Sequence, residues 1–376
     1  MNNIEKALIA LIRNAVFDRE DVVEISSDAD VCKIAELAEE HDVLNIVSKA
    51  LLEGNLVEDA DLMQQLMVEQ YGGVLRYQQQ KFAIERMCSA FDEAQICYVL
   101  LKGAVIRELY PEPDMRTSSD IDILVKYEDM DKASECLIDL GCREFAHTGH
   151  DVSYMTEDDV HIELHHSLVS DRFVFAKPLT KAWEHTTNTG KFRYDFDNEF
   201  FVYYHYAHMA KHLVNGGFGI RFVLDLWLMM QKMSVDETRL RCLLEEGKIS
   251  KMAETVFSLA KVWFDGAEHT EATMALEKYI FESGLYGVLE NNVAVNQRVH
   301  GGRFGNLFNR IFISADLLKV QYPILGKYPA LYPLCLIRRF WRVLRRNRKK
   351  ALTELSINKN TSKVNEINIL FDMLEL

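Results

Sequence analysis

Proline is scarce in this sequence, and its positions divide the chain. Only six of the 376 residues are proline, and none lies in residues 1–110 or 179–322. Since proline interrupts helices, two long stretches without it are compatible with long helices. Apolar residues recur at helical spacing in both stretches. The sequence therefore predicts mostly α-helical N- and C-terminal regions on either side of a different middle region.

Paired cysteines and long apolar runs are also absent. The seven cysteines are odd in number and scattered, with no CxxC pair, which predicts reduced thiols in a cytoplasmic protein. No run of 18 apolar residues occurs, so we expect no membrane-spanning helix. Residues 1–17 lack a basic leader and a small-residue cleavage site. They predict an amphipathic helix and not a signal peptide.

Positive charge is concentrated in one segment of an acidic protein. The net charge of −14 argues against a protein that binds nucleic acid over its whole surface. By contrast, residues 338–350, RRFWRVLRRNRKK, carry eight Lys and Arg residues. As a helix this basic segment would have an apolar stripe formed by Leu336, Phe340, Val343 and Leu344. Three interpretations stay open: it packs on the acidic remainder, lies on anionic lipid, or binds RNA. The tail from about residue 352 is expected to be partly ordered at most.

The middle region changes from helical to strand periodicity. Short apolar runs, which predict strands, end in a glycine or a charged residue and are followed by helical patterns. The predicted order is β-α-β-α-β-β. This order predicts an α+β fold, in which a compact mixed sheet with helices is flanked by mostly α-helical regions. We expect four parts: a helical region at 1–92, the α/β core at 93–190, a helical domain at 191–337, and the basic segment and tail at 338–376.

Three carboxylates fall on the predicted strands of this core. Asp120 and Asp122 are two apart in SDIDILV, so a strand points both to one face, with Cα atoms roughly 6.5–7 Å apart. Glu163 lies between two apolar residues of a later strand, HIELHHSL. The pattern has two interpretations, a solvated edge strand or a cation site. Three acids make a hard oxygen site that suits Mg²⁺ or Mn²⁺.

Groups that bind anions are close to these acids in the sequence. Lys102 and Gly103 end a strand just before a helix, which aims backbone N–H groups at an anion. Arg116, Ser118 and Ser119 directly precede the acidic pair. Acids that can bind a cation, next to groups that can bind an anion, predict a polyphosphate ligand.

These motifs together resemble a known family. The blocks LLKGAVIRELY, RTSSDIDILV and HIELHHSL, in this order across residues 98–168, look like the nucleotidyltransferase superfamily of DNA polymerase beta. More closely, they resemble its little-characterised type 5 bacterial family. The later segments HYAHMAKH and GIRFVLDLWLM are similar to the family's His-rich helix and its Asp-bearing helix. The resemblance reaches from about residue 90 to 345.

The resemblance implies the roles of the site residues. Asp120 and Asp122 would bind the divalent ions that bridge the nucleotide phosphates, and Glu163 would complete the metal site and help deprotonate an acceptor hydroxyl. Lys102 and Gly103 would cradle the triphosphate. The remaining predicted nucleotide-binding residues are Arg116, which would offset phosphate charge, and Ser118, Ser119 and His165. Mg²⁺ or Mn²⁺ would be the cofactor, and ATP is the default nucleotide.

The predicted function is metal-dependent transfer of a nucleoside monophosphate from an NTP to an unknown small-molecule or protein acceptor. A nucleic-acid acceptor is disfavoured by the acidic charge. Two departures from the superfamily concern the phosphate contact and the third acid: Lys102–Gly103 stands where Gly-Ser is usual, and Glu163 where Asp is commoner. The alternatives are a non-catalytic, antitoxin-like nucleotide-binding module and, less favoured, a His-metal hydrolase.

The histidines of the C-terminal region motivate the last alternative. His205, His208 and His212 share one helix face, and Asp225 follows on the next predicted helix. They could bind zinc, line the nucleotide or acceptor pocket, or be buried structural residues. Asp225 could pair with Arg221, one helical turn earlier, bridge domains, or take a direct part in the chemistry.

The histidines beside Glu163 are assigned separately. His165 shares the strand face of Glu163, so it could orient a carboxylate, contact phosphate or be structural. His161 and His166 are expected to be structural.

Overall fold

The structure is a computed structural model that describes most of the chain. The described residues are 1–25, 27–147, 151–168, 173–284, 291–293, 295, 298, 318, 322, 324–346 and 361–376, with the backbone alone at 340, 342–346 and 361. The chain forms two compact units. The first comprises Met1–Lys211 and Phe218–Leu285, and the second His212–Gly217 and Tyr286–Leu376.

The N-terminal region of the first unit is helical, as predicted. Its helices are α1 (Asn3–Phe17), α2 (Asp28–Glu40), α3 (Leu44–Glu53) and α4 (Ala60–Glu93). A capping box formed by Asn2 and Glu5 starts α1. Along α1 the apolar residues from Ala7 to Ile12 are buried, and the helix packs against α2 and α3. Burial of these side chains, and not helix propensity, holds the region together.

A seven-stranded mixed sheet forms the centre of the first unit. Its strands are β1 (Tyr98–Leu100), β2 (Asp120–Val125), β3 (Arg143–His147), β4 (Asp151–Met155), β5 (His161–His165), β6 (Thr186–Asn188) and β7 (Arg193–Phe196). Their order across the sheet is β3-β4-β5-β2-β1-β7-β6. Central strand β2 pairs parallel with β5 and antiparallel with β1. The predicted α+β class with a mixed sheet is confirmed.

Two short helices connect these strands. They are α5 (Gly103–Ile106), between β1 and β2, and α6 (Met130–Asp139), after β2. On one sheet face, Ile121 and Ile123 of β2 and Ile162 of β5 join a buried apolar cluster with α4 and α6, which contribute Phe91 and Leu137. Because strand side chains alternate, the residues between those isoleucines point to the opposite face.

Strands β3, β6 and β7 were missed by the sequence analysis, and they extend the sheet on both sides. Edge strand β3 carries Arg143 and Glu144 and is mostly exposed, and β6 is three polar residues long. Edge strands of this kind lack the apolar alternation that marks a half-buried strand. The sheet continues through β7, beyond residue 190.

The helices after the sheet complete the first unit. They are α7 (Asn198–Val214), which ends just past its boundary, α8 (Ile220–Lys232), α9 (Glu237–Glu246), α10 (Ser250–Asp265) and α11 (Glu271–Ser283). Helix α8 is buried along most of its length and packs against α10. Among the helices described, none combines the length and the apolar character needed to cross a membrane.

The second unit contains a small apolar cluster and short helices. Its described helices past residue 318 are α12 (Ile324–Lys327), α13 (Tyr332–Arg346) and α14 (Thr361–Met373). Leu325 and Cys335 are buried in the cluster. The tail was expected to be partly ordered at most; residues 361–373 form a helix, with Ile367, Leu370 and Phe371 buried. Their helical spacing is the signal that the sequence analysis did not use.

The basic segment is only partly described. Arg338 and Arg339 lie on α13, and residues 347–350 are outside the described residues. Of the predicted apolar stripe, Leu336 packs on the small cluster of the second unit. The side chains of Phe340, Val343 and Leu344 lie outside the described residues. Its three interpretations therefore stay predictions.

A buried histidine links the N-terminal helices to α8. The side chain of His41 is fully buried, and its Nδ1 accepts a hydrogen bond of 3.3 Å from the backbone N–H of Ile220. Its Nε2 has no hydrogen-bond partner among the described residues. Burial lowers the pKa of His41 to about 4.

This histidine should make stability depend on pH. Below its ordinary pKa of about 6.5 the unfolded chain protonates His41 while the folded protein does not, so acid favours unfolding. Between about pH 6.5 and 4, His41 should remove up to roughly 3 kcal/mol of the free energy of unfolding. Urea denaturation at several pH values measures it.

A variant without the titrating group supplies the control. His41→Asn should unfold more easily at pH 7.5 but lose less stability on acidification. Equal pH slopes in the two proteins would contradict the prediction.

Candidate active site

The two aspartates of β2 point to the sheet face opposite the apolar core. Strand β2 has the sequence DIDILV, and every residue after Asp120 is buried. Ile121 and Ile123 occupy the core cluster, so Asp120 and Asp122 lie together on the other face. Asp122 is only 3% exposed, which rules out the solvated edge strand that the sequence left open.

The neighbouring strand places three more polar residues on that face. In the β2–β5 register Asp120 is opposite His161, Asp122 is opposite Glu163 and Leu124 is opposite His165. Opposed residues of paired strands point to the same side of a sheet. The three predicted acids are therefore brought together, although Glu163 lies more than 40 residues after the two aspartates in the chain.

Asp122 is the electrostatic centre of the site. Its Oδ1 accepts a hydrogen bond of 2.9 Å from Lys102 Nζ and lies 2.7 Å from His165 Nε2. Burial alone would raise the pKa of Asp122, yet Lys102 and His165 hold it well below its usual range. Burial likewise opposes charge on Lys102, but Asp122 raises its pKa overall. The pair is charged at neutral pH.

The other two carboxylates are shifted in opposite directions. Burial, then the negative charges of Asp122 and Glu163, raise the pKa of Asp120. Hydrogen bonding from His165, whose Nε2 is 3.4 Å from Oε2 of Glu163, lowers the pKa of Glu163. The three acids repel one another, which favours a cation between them.

The loop after β1 brings the predicted phosphate-binding residues to the same edge. Lys102 has φ 39°, a left-handed conformation that costs energy in a residue with a side chain. A Cβ at Gly103 would lie 2.7 Å from Ser118 Oγ and 2.9 Å from Arg116 Nη1. Only glycine permits this close approach. Lys102, Gly103, Arg116 and Ser118 are therefore neighbours, whereas Ser119 is exposed.

Arg116 is held by a buried carboxylate of α8. Its Nε and Nη2 donate hydrogen bonds of 2.8 Å each to the two oxygens of Asp225, which also accepts one from Tyr110. Its Nη1 is buried, with no hydrogen-bond partner among the described residues. Despite burial, this pairing raises the pKa of Arg116 and lowers that of Asp225. Arg221, the partner considered for Asp225, forms an ion pair with Asp42.

Helix α7 adds two residues that sequence reasoning missed. Tyr204 is buried next to Lys102 and Asp122, and burial raises its pKa well above the usual range. Burial, then the charge of Lys102, lowers the pKa of Lys211. The two are seven residues apart, so they share a helix face. That spacing was the available signal.

The zinc hypothesis for the α7 histidines finds no support in the described part of the chain. His205 is buried, and its Nε2 donates a hydrogen bond of 2.9 Å to the backbone carbonyl of Phe222. Asp225 is engaged by Arg116. Among the described residues, some His, Cys, Asp and Glu side chains are close enough to share an ion, but neither His205 nor Asp225 is one of them. His205 is a structural histidine.

Among the described residues, two groups of His, Asp and Glu side chains close enough to share an ion lie on the polar face of the sheet. One contains Asp120, His161 and Glu163, and the other Asp122, Glu163 and His165; within each group the ligand atoms lie within 4.8 Å of one another. His161 was expected to be structural. Its position two residues before Glu163, on the same strand face, was the signal that it adjoins the site.

A mixed sheet with paired aspartates on one strand and a third acid on its neighbour is the arrangement expected of a nucleotidyltransferase. Residues 27–265 match the sequence profile of a family described as uncharacterised nucleotidyltransferases. The match covers more than half of the chain, so the protein belongs to this family and is a nucleotidyltransferase. The family resemblance of the sequence motifs is confirmed.

Comparison with known proteins gave two similar solved structures, both of the antibiotic-resistance factor ANT(2'')-Ia. Its solution structure has 13% identity and a TM-score of 0.36, covering 47% of this chain and 95% of that one. Its crystal structure in complex with adenylyl-2''-tobramycin has 13% identity and a TM-score of 0.35, covering 45% and 97%. No curated protein gives a significant match.

The buried pair of Arg116 and Asp225 should be essential for stability. Asp225→Asn leaves the guanidinium buried without its counter-ion, and we expect the free energy of unfolding to fall by about 3–5 kcal/mol. Urea denaturation followed by circular dichroism measures the loss.

Matched variants test the cause. Glu254→Gln removes an exposed carboxylate that pairs with Lys251 on α10, and should cost at most about 1 kcal/mol. The double variant Arg116→Met/Asp225→Leu should recover much of the lost stability, since no unpaired charge remains. An Asp225→Asn protein as stable as Glu254→Gln would contradict the prediction.

Proposed function

We propose that this nucleotidyltransferase is divalent-metal-dependent and transfers a nucleoside monophosphate from an NTP, by default ATP, to a small-molecule or protein acceptor. The observation that carries the proposal is the register of β2 and β5, which opposes Asp122 to Glu163 with Asp120 beside them. An acceptor oxygen would attack the α-phosphate in line, forming a new P–O bond, and pyrophosphate would leave.

The acids supply the metal-binding part of this proposal. Asp120, Asp122 and Glu163 would hold Mg²⁺ or Mn²⁺, as hard oxygen ligands do. The ions would stabilise the attacking and leaving oxygens. Glu163, whose pKa is lowered, is charged at neutral pH and can accept the proton of an acceptor hydroxyl. The orphaned Nε2 of His161 at this face supports a bound cation.

The loop after β1 supplies the phosphate-binding part. Lys102 is charged and already close to the acids, so it can contact the triphosphate when a cation takes its place beside Asp122. Gly103 permits close approach of the backbone, and Ser118 and Ser119 can donate hydrogen bonds. Arg116 would contribute through Nη1, since its other donors bind Asp225.

The first experiment is titration calorimetry with non-hydrolysable analogues of ATP, GTP, CTP and UTP, with Mg²⁺, with Mn²⁺ and without either ion. The wild type should bind one nucleotide in a metal-dependent manner. Asp120→Asn/Asp122→Asn should lower that affinity by roughly 100-fold or more, because the ligands that couple the metal to the phosphates are gone.

Asp158→Asn is the matched control. Asp158 is exposed in the turn between β4 and β5 and should leave binding unchanged. If the wild type binds none of the four analogues with either ion, or if the double variant binds as well as the wild type, the proposal fails.

The contact of Lys102 with phosphate is tested separately. Lys102→Met should weaken nucleotide binding roughly 10-fold or more, the size of a lost charge-assisted hydrogen bond, without weakening Mn²⁺ binding to the nucleotide-free protein. The exposed Lys191 provides the control Lys191→Met. Unchanged nucleotide affinity would show that Lys102 forms its ion pair with Asp122 and does not contact the phosphates.

A second candidate function is a non-catalytic nucleotide-binding or regulatory module. It is favoured by one observation: Lys102 and His165 both contact Oδ1 of Asp122, so internal cations already neutralise that acid. This module would bind nucleotide without turnover. Release of pyrophosphate on addition of candidate acceptors separates the two functions.

The remaining partners are proposed from charge and composition. The net charge of −14 disfavours a long nucleic-acid acceptor. Contact of residues 338–350 with anionic lipid or with the acidic remainder stays a proposal. The seven cysteines are unpaired thiols, which supports a cytoplasmic location.

A further inference from the structure

The strand β5 carries two histidines around the shared acid Glu163. His161, Glu163 and His165 alternate with the buried Ile162 and Leu164, so the three polar side chains lie on one face. Oε1 of Glu163 is 3.7 Å from Nε2 of His161, and Oε2 is 3.4 Å from Nε2 of His165. Each carboxylate oxygen thus faces a different imidazole.

The two imidazole nitrogens differ in their partners. Nε2 of His165 is hydrogen-bonded to Asp122, whereas Nε2 of His161 is buried and has no hydrogen-bond partner among the described residues. The ring of His161 packs against Phe145, with 5.1 Å between ring centroids. A buried polar nitrogen without a partner costs about 1–3 kcal/mol, so a ligand that satisfies it is favoured.

The neighbours of this nitrogen are both carboxylates. One oxygen of Asp120 and one of Glu163 lie with it inside a group of ligand atoms no more than 4.8 Å apart. Donors bonded at about 2.0–2.2 Å to one ion are at most about 4.4 Å apart, so a small movement of these side chains would bring all three to bonding distance. Imidazole is a ligand of transition metals, while Mg²⁺ prefers carboxylates, carbonyls and water.

We propose that His161 is a metal ligand, and that Asp120, His161 and Glu163 hold a transition-metal ion such as Mn²⁺ in preference to Mg²⁺. The inference rests on the proposed function, since it concerns one ion of the same site. The three acids alone would supply only oxygen ligands, and His161 adds a nitrogen ligand. The metal preference follows from that nitrogen.

The test uses metal-stripped full-length protein and Mn²⁺ itself as the probe. Loss of the electron paramagnetic resonance signal of free Mn²⁺ measures affinity, and pulsed measurements detect ¹⁴N coupled to the bound ion. The wild type should bind Mn²⁺ at least about 10-fold more tightly than Mg²⁺ and show nitrogen coupling.

Variants of His161 separate ligation from folding. His161→Gln should lower Mn²⁺ affinity roughly 10- to 100-fold and reduce the nitrogen coupling, with Mg²⁺ affinity changed by less than about threefold. His161→Asp supplies a charged oxygen donor in place of the neutral nitrogen, so it should bind Mg²⁺ at least as well as the wild type. His166→Gln is the control, since His166 packs on Tyr127 next to β5. Thermal melts verify that each variant folds.

The outcomes distinguish this inference from the proposed function. Mn²⁺ affinity and nitrogen coupling that are unchanged in His161→Gln would overturn the inference. If Mg²⁺ alone then supports nucleotide binding in the wild type, the proposed function stands without it. Failure of both ions to promote nucleotide binding would instead overturn the proposed function.

Discussion

The parallel register between β2 and β5 is the constraint on which the candidate site depends. Pairing Asp122 with Glu163 brings acids from distant parts of the chain to one sheet face. A slip of one residue would turn Glu163 toward the apolar core and His161 away from Asp120. Ile162 and Leu164 of β5 are paired with Ile121 and Ile123 of β2 on the apolar face. A slip would expose Ile162 and Leu164 on the polar face, so the burial of these side chains fixes the register.

The same face shows how a buried acid can stay charged. Asp122 is almost fully buried and would be expensive to ionise alone, yet Lys102 and His165 both contact its Oδ1. For Asp120, burial and the charge of Asp122 outweigh the attraction of Lys102, and its pKa rises. The acids are thus unequal before any ligand binds. The repulsion that Asp122 and Glu163 exert on Asp120 is what favours a divalent ion beside these acids.

Much of the fold and of the site could be predicted from local sequence. Helices with apolar stripes, the central strand DIDILV and the third acid in HIELH follow from periodicity. The edge strand β3 could not, because exposed edge residues have no apolar alternation. For Asp225 the sequence left open a pair with Arg221, a bridge between domains or a direct role in the chemistry. Its partner Arg116 lies 109 residues away in sequence, and no periodicity connects the two.

By itself the sequence determined which residues alternate on each strand, and therefore that Asp120 and Asp122 share a face and that a third acid is available. Spacing within one element is set by backbone geometry, which is local. Only the tertiary structure decided which groups lie next to those acids: His161 beside Asp120, Lys102 and His165 in contact with Asp122, and Tyr204 beside Lys102. Such neighbours depend on strand order and on helix packing, and these result from burying the apolar faces of the whole unit at once.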